Sequence, residues 1–251
     1  MDDDREQKGE AMETKKTVIV TGASRGIGAT IVRAFLDRGY NVVANSLNRI
    51  DDEFAPAQNL ALVKGDIGKE TTAEKIAETA ISTFGSIDHV VNNAGIFAAK
   101  PFTAFTVEDF RHFASTNLEG FLFVTQLAVK QMLAQGHGGS VTTITAALAD
   151  NPIAGVPASI PMITKGGLNS ITLSLASEYA KENIRFNAVA PGIVDTPMHE
   201  NGDKNQLRSL SPLGAIAEAK DIADAVLYLA EARFVTGEVL HVDCGAHVGR
   251  W

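Results

Sequence analysis

The sequence predicts an α/β fold in which a doubly wound parallel sheet of about seven strands is covered by helices on both faces. Short apolar, often β-branched runs alternate with segments of helical periodicity over almost all of the 251 residues. The strand-like runs are nearly continuously apolar, which is typical of parallel strands buried on both faces. No repeat, low-complexity block or linker interrupts the alternation. We therefore expect one domain over residues 16–251, preceded by a disordered tail over residues 1–15.

The first half of the chain contains four of the predicted strands and two helices. The first helix follows a glycine-rich turn and ends near Arg38, because Gly39 is a good helix stop. Thr71 and Glu74 form a capping-box pattern that predicts the start of the second helix, which ends at Gly85. The strands are predicted at residues 17–20, 41–44, 60–63 and 89–91.

The second half continues the same alternation. Thr106 and Asp109 resemble a looser capping box and predict a long helix that reaches about Leu133. Buried strands are predicted at residues 140–145, 184–190 and 238–242. Two further helices are predicted at residues 158–180 and 221–230.

Composition excludes several classes of function. The formal net charge is −8 and the pI is about 5.3, which argues against non-specific binding to nucleic acid or to anionic membranes. No apolar run approaches the ~18 residues that a membrane-spanning helix needs, and the polar segment from Met1 to Lys16 lacks the apolar core of a signal peptide. The single cysteine, Cys244, allows no intrachain disulfide and fits a reducing, cytoplasmic compartment. The six histidines show no metal-ligand spacing, so we expect no metal site.

A glycine-rich turn follows the first predicted strand and reads Thr21-Gly22-Ala23-Ser24-Arg25-Gly26-Ile27-Gly28. Gly22 would permit a sharp turn, Gly26 a close approach of the backbone to a pyrophosphate, and Gly28 close packing of helix against strand. The helix that begins here would offer unpaired N–H groups and the positive end of its dipole to phosphates. The turn therefore predicts a dinucleotide-binding Rossmann fold.

This turn resembles the cofactor turn of the short-chain dehydrogenase/reductase family, and other motifs of that family follow in order. They include Asp66-Ile67, Asn92-Asn93-Ala94-Gly95, Asn117, Lys165, and the run from Asn187 to Gly192 with Thr196. The resemblance covers about residues 15–247 and implies a bound nicotinamide dinucleotide. The cofactor-binding residues that it implies are Gly22, Ser24, Arg25, Gly26, Ile27, Gly28, Ser46, Asp66, Ile67, Asn93, Ala94, Gly95, Lys165, Pro191, Gly192, Val194 and Thr196.

The end of the second strand bears on the choice of cofactor. Sites that prefer NAD usually place a carboxylate there, where it bonds the ribose hydroxyls. This strand continues as Ala44-Asn45-Ser46-Leu47-Asn48-Arg49, without an acidic residue. A 2′-phosphate is favoured by hydroxyl and guanidinium donors, which Ser46, Arg25 and Arg49 supply. We therefore expect NADP(H), with NAD(H) as the alternative.

The resemblance also implies a catalytic group that this sequence only partly retains. Carbonyl-reducing family members use a serine, a tyrosine, a lysine four residues after the tyrosine, and an asparagine. The lysine and asparagine correspond to Lys165 and Asn117, but Pro161 stands four residues before Lys165 and Ala146 stands at the serine position. No tyrosine lies between Tyr40 and Tyr179. We expect Thr145 to be the replacement donor, with Ser159, Thr164, or Lys165 acting through water as alternatives.

Two functions are compatible with these features. The first is an NADP(H)-dependent oxidoreductase that reduces a small carbonyl substrate or oxidises an alcohol, with an atypical proton donor. The second is a catalytically silent NADP(H)-binding protein, acting as a sensor or partner subunit. A methyltransferase is disfavoured, because it would usually place an acidic residue at the end of the second strand.

The sequence gives less detail about the substrate pocket and the assembly. Residues 196–215 are predicted to form a lid, with His199 at its start. Phe97, Phe102, Ile153 and Met198 are expected to line a partly apolar pocket. The resemblance implies a homo-oligomer, a tetramer or a dimer, that pairs through helices near residues 107–133 and 158–180. On those helices we expect several exposed positions to be apolar or small, including Leu122, Val124, Ile171 and Leu175.

Overall fold

The computed structural model describes residues 15–48, 50, 53–200 and 202–248. Most of the predicted tail and Arg49 lie outside these residues. The main sheet has seven parallel strands in the order β3-β2-β1-β4-β5-β6-β9. The fold class predicted from the sequence is therefore confirmed. The strands are β1 (Thr17–Val20), β2 (Asn41–Ser46), β3 (Leu60–Lys64), β4 (His89–Asn92), β5 (Gly139–Ile144), β6 (Ile184–Pro191) and β9 (Val239–Val242).

Helices connect the strands, and two further strands form a small separate pair. These two strands are β7 (Val194–Asp195) and β8 (Ala217–Glu218). Their pairing brings together the two ends of the segment that connects them. The α-helices are α1 (Gly26–Asp37), α2 (Glu70–Phe84), α3 (Val107–Phe113), α4 (Gly120–Gln135), α5 (Ser159–Glu178), α6 (Lys204–Arg208) and α7 (Ala219–Glu231). Within the described residues, no helix is both long enough and apolar enough to cross a bilayer.

Alternating strand side chains divide the core into two layers. Val18 and Val20 of β1 pack in one layer with residues of α1 and α7, whereas Ile19 packs in the other with residues of α2 and α4. All three side chains are fully buried. Because each face of the sheet is covered, both side-chain directions must be apolar, which explains the continuous apolar runs of the sequence.

Several helix boundaries follow from local sequence, but one predicted cap is wrong. Gly85 ends α2 in the left-handed conformation (φ 84°), and Thr106 with Asp109 forms the predicted capping box at α3. Thr71 does not cap α2, which begins at Glu70 after Lys69. The Asp66 carboxylate accepts from the Gly68 N–H at 3.0 Å and turns the chain earlier than the capping pattern predicts.

The long helix predicted from Thr106 to Leu133 is interrupted. A π-helical segment (Ala114–Glu119) separates α3 from α4 and carries Asn117. Single-turn π segments often occur at functional sites because they displace a side chain relative to the helix. On α4 the expected exposure of Val124 is wrong. Val124 is buried against the sheet, whereas Leu122 two residues earlier is exposed.

Candidate active site

A cleft of about 810 Å³ opens where the parallel strands end, and it gathers the predicted site. Clefts at this edge of an open α/β sheet are the usual ligand sites of the fold. Every cofactor-binding residue predicted from the sequence lines it, as does Thr145. Asn117 is not part of its lining and lies behind the wall. The predicted residues that line it are Gly22, Ser24, Arg25, Gly26, Ile27, Gly28, Ser46, Asp66, Ile67, Asn93, Ala94, Gly95, Thr145, Lys165, Pro191, Gly192, Val194 and Thr196.

The glycine turn requires glycine at two positions for different reasons. Gly22 adopts a φ of +66°, and a Cβ there would lie 2.7 Å from the Cα of Ala94. A Cβ on Gly28 would lie 2.2 Å from the carbonyl oxygen of Gly22 and 2.5 Å from Nδ2 of Asn93. Neither position accepts a side chain without movement of the backbone, so the turn is held close to the end of β4. The helix α1 then begins at Gly26 and directs its free N–H groups toward the cleft.

Hydrogen bonds from Thr21 and Asn93 fix this turn to the end of β4. The Thr21 hydroxyl accepts from the N–H groups of Asn93 and Ala94 at 3.1 and 3.0 Å. The Asn93 amide donates to the carbonyl oxygens of Thr21 and Gly22 at 2.9 and 3.0 Å. Four bonds thus join two segments that are about 70 positions apart in sequence. These bonds hold the glycine turn in place in the lining of the cleft.

Lys165 is a buried residue of the cleft lining. Its side chain extends from α5, and its Nζ donates to the carbonyl oxygen of Ile144 at 2.7 Å. Only 9% of the residue is exposed, and burial lowers the pKa of its ammonium group from 10.5 to about 8. A Cβ on Gly95 would lie 3.2 Å from Nζ. An ammonium has three N–H donors, so Lys165 retains donors for a ligand beside Gly95.

Asn117 connects three segments behind Lys165. Its Oδ1 accepts from the Ile96 N–H at 2.9 Å, and its Nδ2 donates to the Ile96 carbonyl oxygen at 3.2 Å and to the Thr164 hydroxyl at 2.9 Å. A Cβ on Gly95 would lie 3.3 Å from Oδ1 of Asn117. The π-helical segment therefore places this amide where it positions the loop that carries Gly95.

The position four residues before Lys165 carries no side-chain proton. Pro161 is buried and is the third residue of α5, within the first turn, where proline costs no helical hydrogen bond. Its carbonyl oxygen accepts from the Thr164 hydroxyl at 2.7 Å. Since the Asn117 amide also donates to Thr164, that hydroxyl is fully engaged. Ser159 is exposed and lies outside the cleft lining.

Thr145 is the hydroxyl of the predicted set that reaches the cleft next to Lys165. It directly follows β5, and both its N–H and its hydroxyl donate to the carbonyl oxygen of Val189, at 2.8 and 3.3 Å. The long hydroxyl bond is weak by ordinary criteria. Ala146 follows it on the wall of the cleft.

The other end of the cleft, beside β2 and β3, has the character expected for a phosphate site. Ser46 is buried at the end of β2, and Arg25 is exposed within the glycine turn. Both line the cleft together with Asp66 and Ile67, which follow β3. Asn45 donates to the carbonyl oxygens of Val63 and Gly65 and so holds the ends of β2 and β3 together.

The lid contributes cleft residues that the sequence did not single out. Leu207, Leu210 and Ser211 line the cleft from α6 and the turn that follows it, and Asp243 lines it from the end of β9. No local pattern marks the three lid positions, because their approach depends on the return of the chain between β7 and β8. Phe102 was expected here, but it does not line the cleft and lies exposed in a short 3₁₀ helix.

His199 lies on the cleft wall as expected. Its Nδ1 hydrogen bonds with the carbonyl oxygen of Val194 at 2.9 Å, which makes Nδ1 the donor and fixes the ring in place. Within the described part of the chain, no group of three or more His, Cys, Asp or Glu residues is arranged to hold a metal ion.

Comparison with known proteins gives consistent results along the chain. A family model described as enoyl-(acyl carrier protein) reductase matches residues 22–247. An L-rhamnose 1-dehydrogenase (NAD(P)(+)) from Sphingomonas sp. is 33% identical over 247 residues, which cover 93% of this chain and 96% of that protein.

Two solved structures are similar to the whole fold. The structure of 3-ketoacyl-(acyl-carrier-protein) reductase from Brucella melitensis complexed with NADH has a TM-score of 0.85 at 26% identity, and that of ElxO with NADP bound has a TM-score of 0.86 at 29% identity. Each comparison covers 94% of this chain and 100% of the other.

Proposed function

Because the chain belongs to the short-chain dehydrogenase/reductase family and is an oxidoreductase of that type, we propose that it uses NADP(H) to reduce a carbonyl or oxidise an alcohol. One observation carries the proposal: a single cleft joins the glycine turn, the buried ammonium of Lys165 and a partly apolar wall. Phosphate-binding and hydride-transfer regions must be connected in this way for one dinucleotide to occupy both.

The residues of the cleft fit such a cofactor. The free N–H groups at the start of α1 suit a pyrophosphate, and Ser46 with Arg25 suits a 2′-phosphate. Asp66 and Ile67 line the cleft beside Ser46 and would contact the adenine. Lys165 retains donors for a ribose beside Gly95. When bound, the nicotinamide supplies or accepts a hydride. Pro191, Gly192, Val194 and Thr196 line the same cleft, and a Cβ on Gly26 would lie 3.4 Å from the Thr196 side chain.

The roles of the remaining polar groups follow from their contacts. Asn117 positions the Gly95 loop through both of its bonds to Ile96. Lys165 holds a proton at Nζ, which donates to the carbonyl oxygen of Ile144, and Thr145 is the next residue in the chain and also lines the cleft. We propose that these two groups, with water, provide the proton that Pro161 lacks the means to donate. A positioned acid contributes roughly 10²–10⁴-fold, so the reaction without a phenol is expected to be slow on unactivated ketones.

NADPH is expected to bind at least about tenfold more tightly than NADH, a difference of ~1.4 kcal/mol. The physical reason is that the 2′-phosphate gains Arg25 and Ser46 and meets no carboxylate in the part of β2 and its continuation that the structure describes, residues 41–48. Titration of the purified protein with each dinucleotide, followed by calorimetry, measures the ratio. Equal affinities, or a preference for NADH, would contradict it.

A pair of arginine variants locates the preference. Arg25→Met should weaken NADPH at least tenfold and leave NADH within about twofold. Arg33→Met is the matched control, since Arg33 lies on α1, pairs with Glu53 and is outside the cleft lining. If Arg33→Met also weakened NADPH binding, the 2′-phosphate would not be bound specifically by Arg25.

We also propose a homo-oligomer, a tetramer or a dimer, that pairs through α4 and α5. Apolar side chains on the outer faces of these helices are exposed, including Leu122, Leu133, Ile163 and Leu173. Light scattering at micromolar concentration should give a mass above the 26.6 kDa of one chain. Leu173→Glu should shift the assembly toward monomer, because a charge would be buried in the interface. Ile81→Glu on α2 is the control, and a wild-type monomer would contradict the proposal.

A further inference from the structure

The cleft has a second end, beyond Lys165, whose chemistry narrows the substrate. Segments that follow β4, β5 and β7 form its walls, on the opposite side of the sheet order from Ser46 and Asp66. We call this end the outer chamber. Its apolar side chains come from all three segments and are Phe97, Leu148, Ile153, Val156, Leu207 and Leu210. Met198, which also lines it, is 63% exposed, so it offers further apolar surface for a ligand to cover.

Two polar side chains near the outer chamber already have protein partners, whereas His112, Thr116 and Asn151, which also line the cleft, make no side-chain hydrogen bond within the described residues. The Ser211 hydroxyl donates to the carbonyl oxygen of Ala215 at 2.9 Å, and Nδ1 of His199 is bonded to the carbonyl oxygen of Val194. A sugar would bring several hydroxyl groups into this space. Each buried hydroxyl without a partner costs about 1–3 kcal/mol. The three open polar side chains can satisfy a few hydroxyl groups, but the apolar walls disfavour a ligand that carries hydroxyls on every side.

The nearest carboxylate is also committed. The Asp243 carboxylate accepts from the Gly245 N–H at 3.0 Å and from the His247 N–H at 2.8 Å, and it contacts Nδ1 of His247 at 3.0 Å. It therefore has little capacity left for substrate hydroxyls. On the lid, the ammonium of Lys204 is paired with Asp195. The described charges thus favour a neutral ligand.

The missing phenol sets a second requirement. Hydride addition to an isolated ketone leaves an alkoxide, a base of about the strength of hydroxide, whose conjugate acid is far weaker than a phenol. Hydride addition to a quinone leaves a phenolate-like anion, whose conjugate acid titrates near ~10. The phenolate-like anion is a weak enough base that the site needs no positioned acid to protonate it. With Pro161 at the tyrosine position and Thr164 fully engaged, the second class of substrate suits this site.

We propose that the outer chamber takes a neutral, apolar, conjugated carbonyl compound, of which a quinone is the simplest example. This inference rests on the proposed function, which supplies NADPH as the reductant. The quinone gains two electrons and one proton as a hydride and a second proton from solvent or Lys165. The products are a hydroquinone and NADP⁺. No covalent bond to the protein forms.

The test compares two aromatic compounds of similar size and apolarity with NADPH under anaerobic conditions. For 9,10-phenanthrenequinone, kcat/KM should exceed that for 9-fluorenone, which has a single carbonyl, by at least about 100-fold. L-Rhamnose with NADP⁺ should give less than either. Fluorenone reduced as fast as the quinone would overturn the argument from the missing acid, and faster rhamnose oxidation would overturn the argument from the apolar walls. Both outcomes leave the proposed function standing.

A matched pair of lid variants tests the chamber by binding as well as by activity. Leu210→Asn should weaken the binding of 9-fluorenone, measured by calorimetry, and raise KM for the quinone, each at least fivefold. Leu213→Asn makes the same change in the same segment at a residue that is 75% exposed and outside the cleft lining, and should stay within twofold. NADPH affinity should be unchanged in both. Equal effects of the two substitutions would overturn the proposal that the outer chamber binds the substrate. Failure of the protein to bind NADPH would count against the proposed function instead.

Discussion

Lys165→Met is expected to weaken NADPH binding by about 1.5–3 kcal/mol, the scale of a hydrogen bond to a charged group, or roughly 10- to 150-fold in Kd. The reason is that Nζ is held beside Gly95 by its bond to Ile144, and in the function proposed above its other donors bind the ribose. Because the ammonium is the binding form, wild-type affinity should also decline as pH rises above about 8, the pKa of this group. The methionine variant should lack that step.

The same substitution should stabilise the cofactor-free protein. Burial lowers the pKa of Lys165 from 10.5 to about 8, whereas the unfolded chain keeps the ordinary value. Between those pH values the unfolded state binds more protons, so wild-type stability rises with pH there. Below pH 8 the buried charge costs about 3 kcal/mol. Losing the bond to Ile144 offsets about 1 kcal/mol, which leaves the variant about 2 kcal/mol more stable at pH 7.

Denaturant unfolding of the two proteins at pH 7 and pH 10 measures this effect. The advantage of the variant should disappear at pH 10, where the wild-type lysine is neutral when folded. Lys130→Met is the control, because Lys130 is an exposed residue of α4 outside the cleft lining. Unchanged NADPH affinity in Lys165→Met would show that Lys165 does not bind the cofactor. A variant less stable than wild type at pH 7 would show that burying the Lys165 charge does not destabilise the folded protein.

Pro161→Tyr is expected to raise reduction of an unactivated aromatic ketone at least about 100-fold, toward the 10²–10⁴-fold range of a positioned acid. The substitution places a phenol one turn before Lys165 on the same helix face, where the ammonium would favour its ionised form. Proline at the first turn is replaceable without loss of a helical hydrogen bond. Ala146→Ser in the same protein should add further activity, since Ala146 lines the cleft.

Pro161→Phe is the matched control for bulk. Position 161 is buried, so both aromatic variants should lose similar stability through overpacking, and only the tyrosine variant should gain activity. Equal activity of the two would rule out the phenol as the cause. Melting temperatures of both variants show whether either has failed to fold.

The same assay separates an enzyme from a silent NADP(H)-binding protein. If wild type uses another donor, it should already reduce some activated carbonyl, and Thr145→Val should slow that reaction at least tenfold. Wild type that is inactive on every dione, quinone and enone, with activity in Pro161→Tyr alone, would favour the silent alternative. An unimpaired Thr145→Val variant would leave Lys165 and water as the donor.

Features set by neighbouring residues were predictable from the sequence. The strands, the helix end at Gly85 and the capping box at Thr106 each depend on residues within one or two turns of each other. The glycine turn belongs only partly to this group. Its glycine pattern and the start of α1 are local, whereas its position is fixed by hydrogen bonds to Asn93 and Ala94, about 70 positions away.

Contacts between distant segments were decided only by the tertiary structure. The sequence did not distinguish buried Val124 from exposed Leu122, because α4 is apolar on most sides and its packing partner lies elsewhere in the chain. It could not place Asn117 in a π-helical segment or bring Leu210 to the lining of the cleft.

The lowered pKa of Lys165 has the same origin. The sequence determined that a lysine stands one turn after Pro161, but its desolvation requires β5 and the Gly95 loop to close around Nζ. Local hydrogen bonds and periodicity are fixed by adjacent residues, whereas burial is a property of segments 21 or more positions apart that meet only when the sheet assembles.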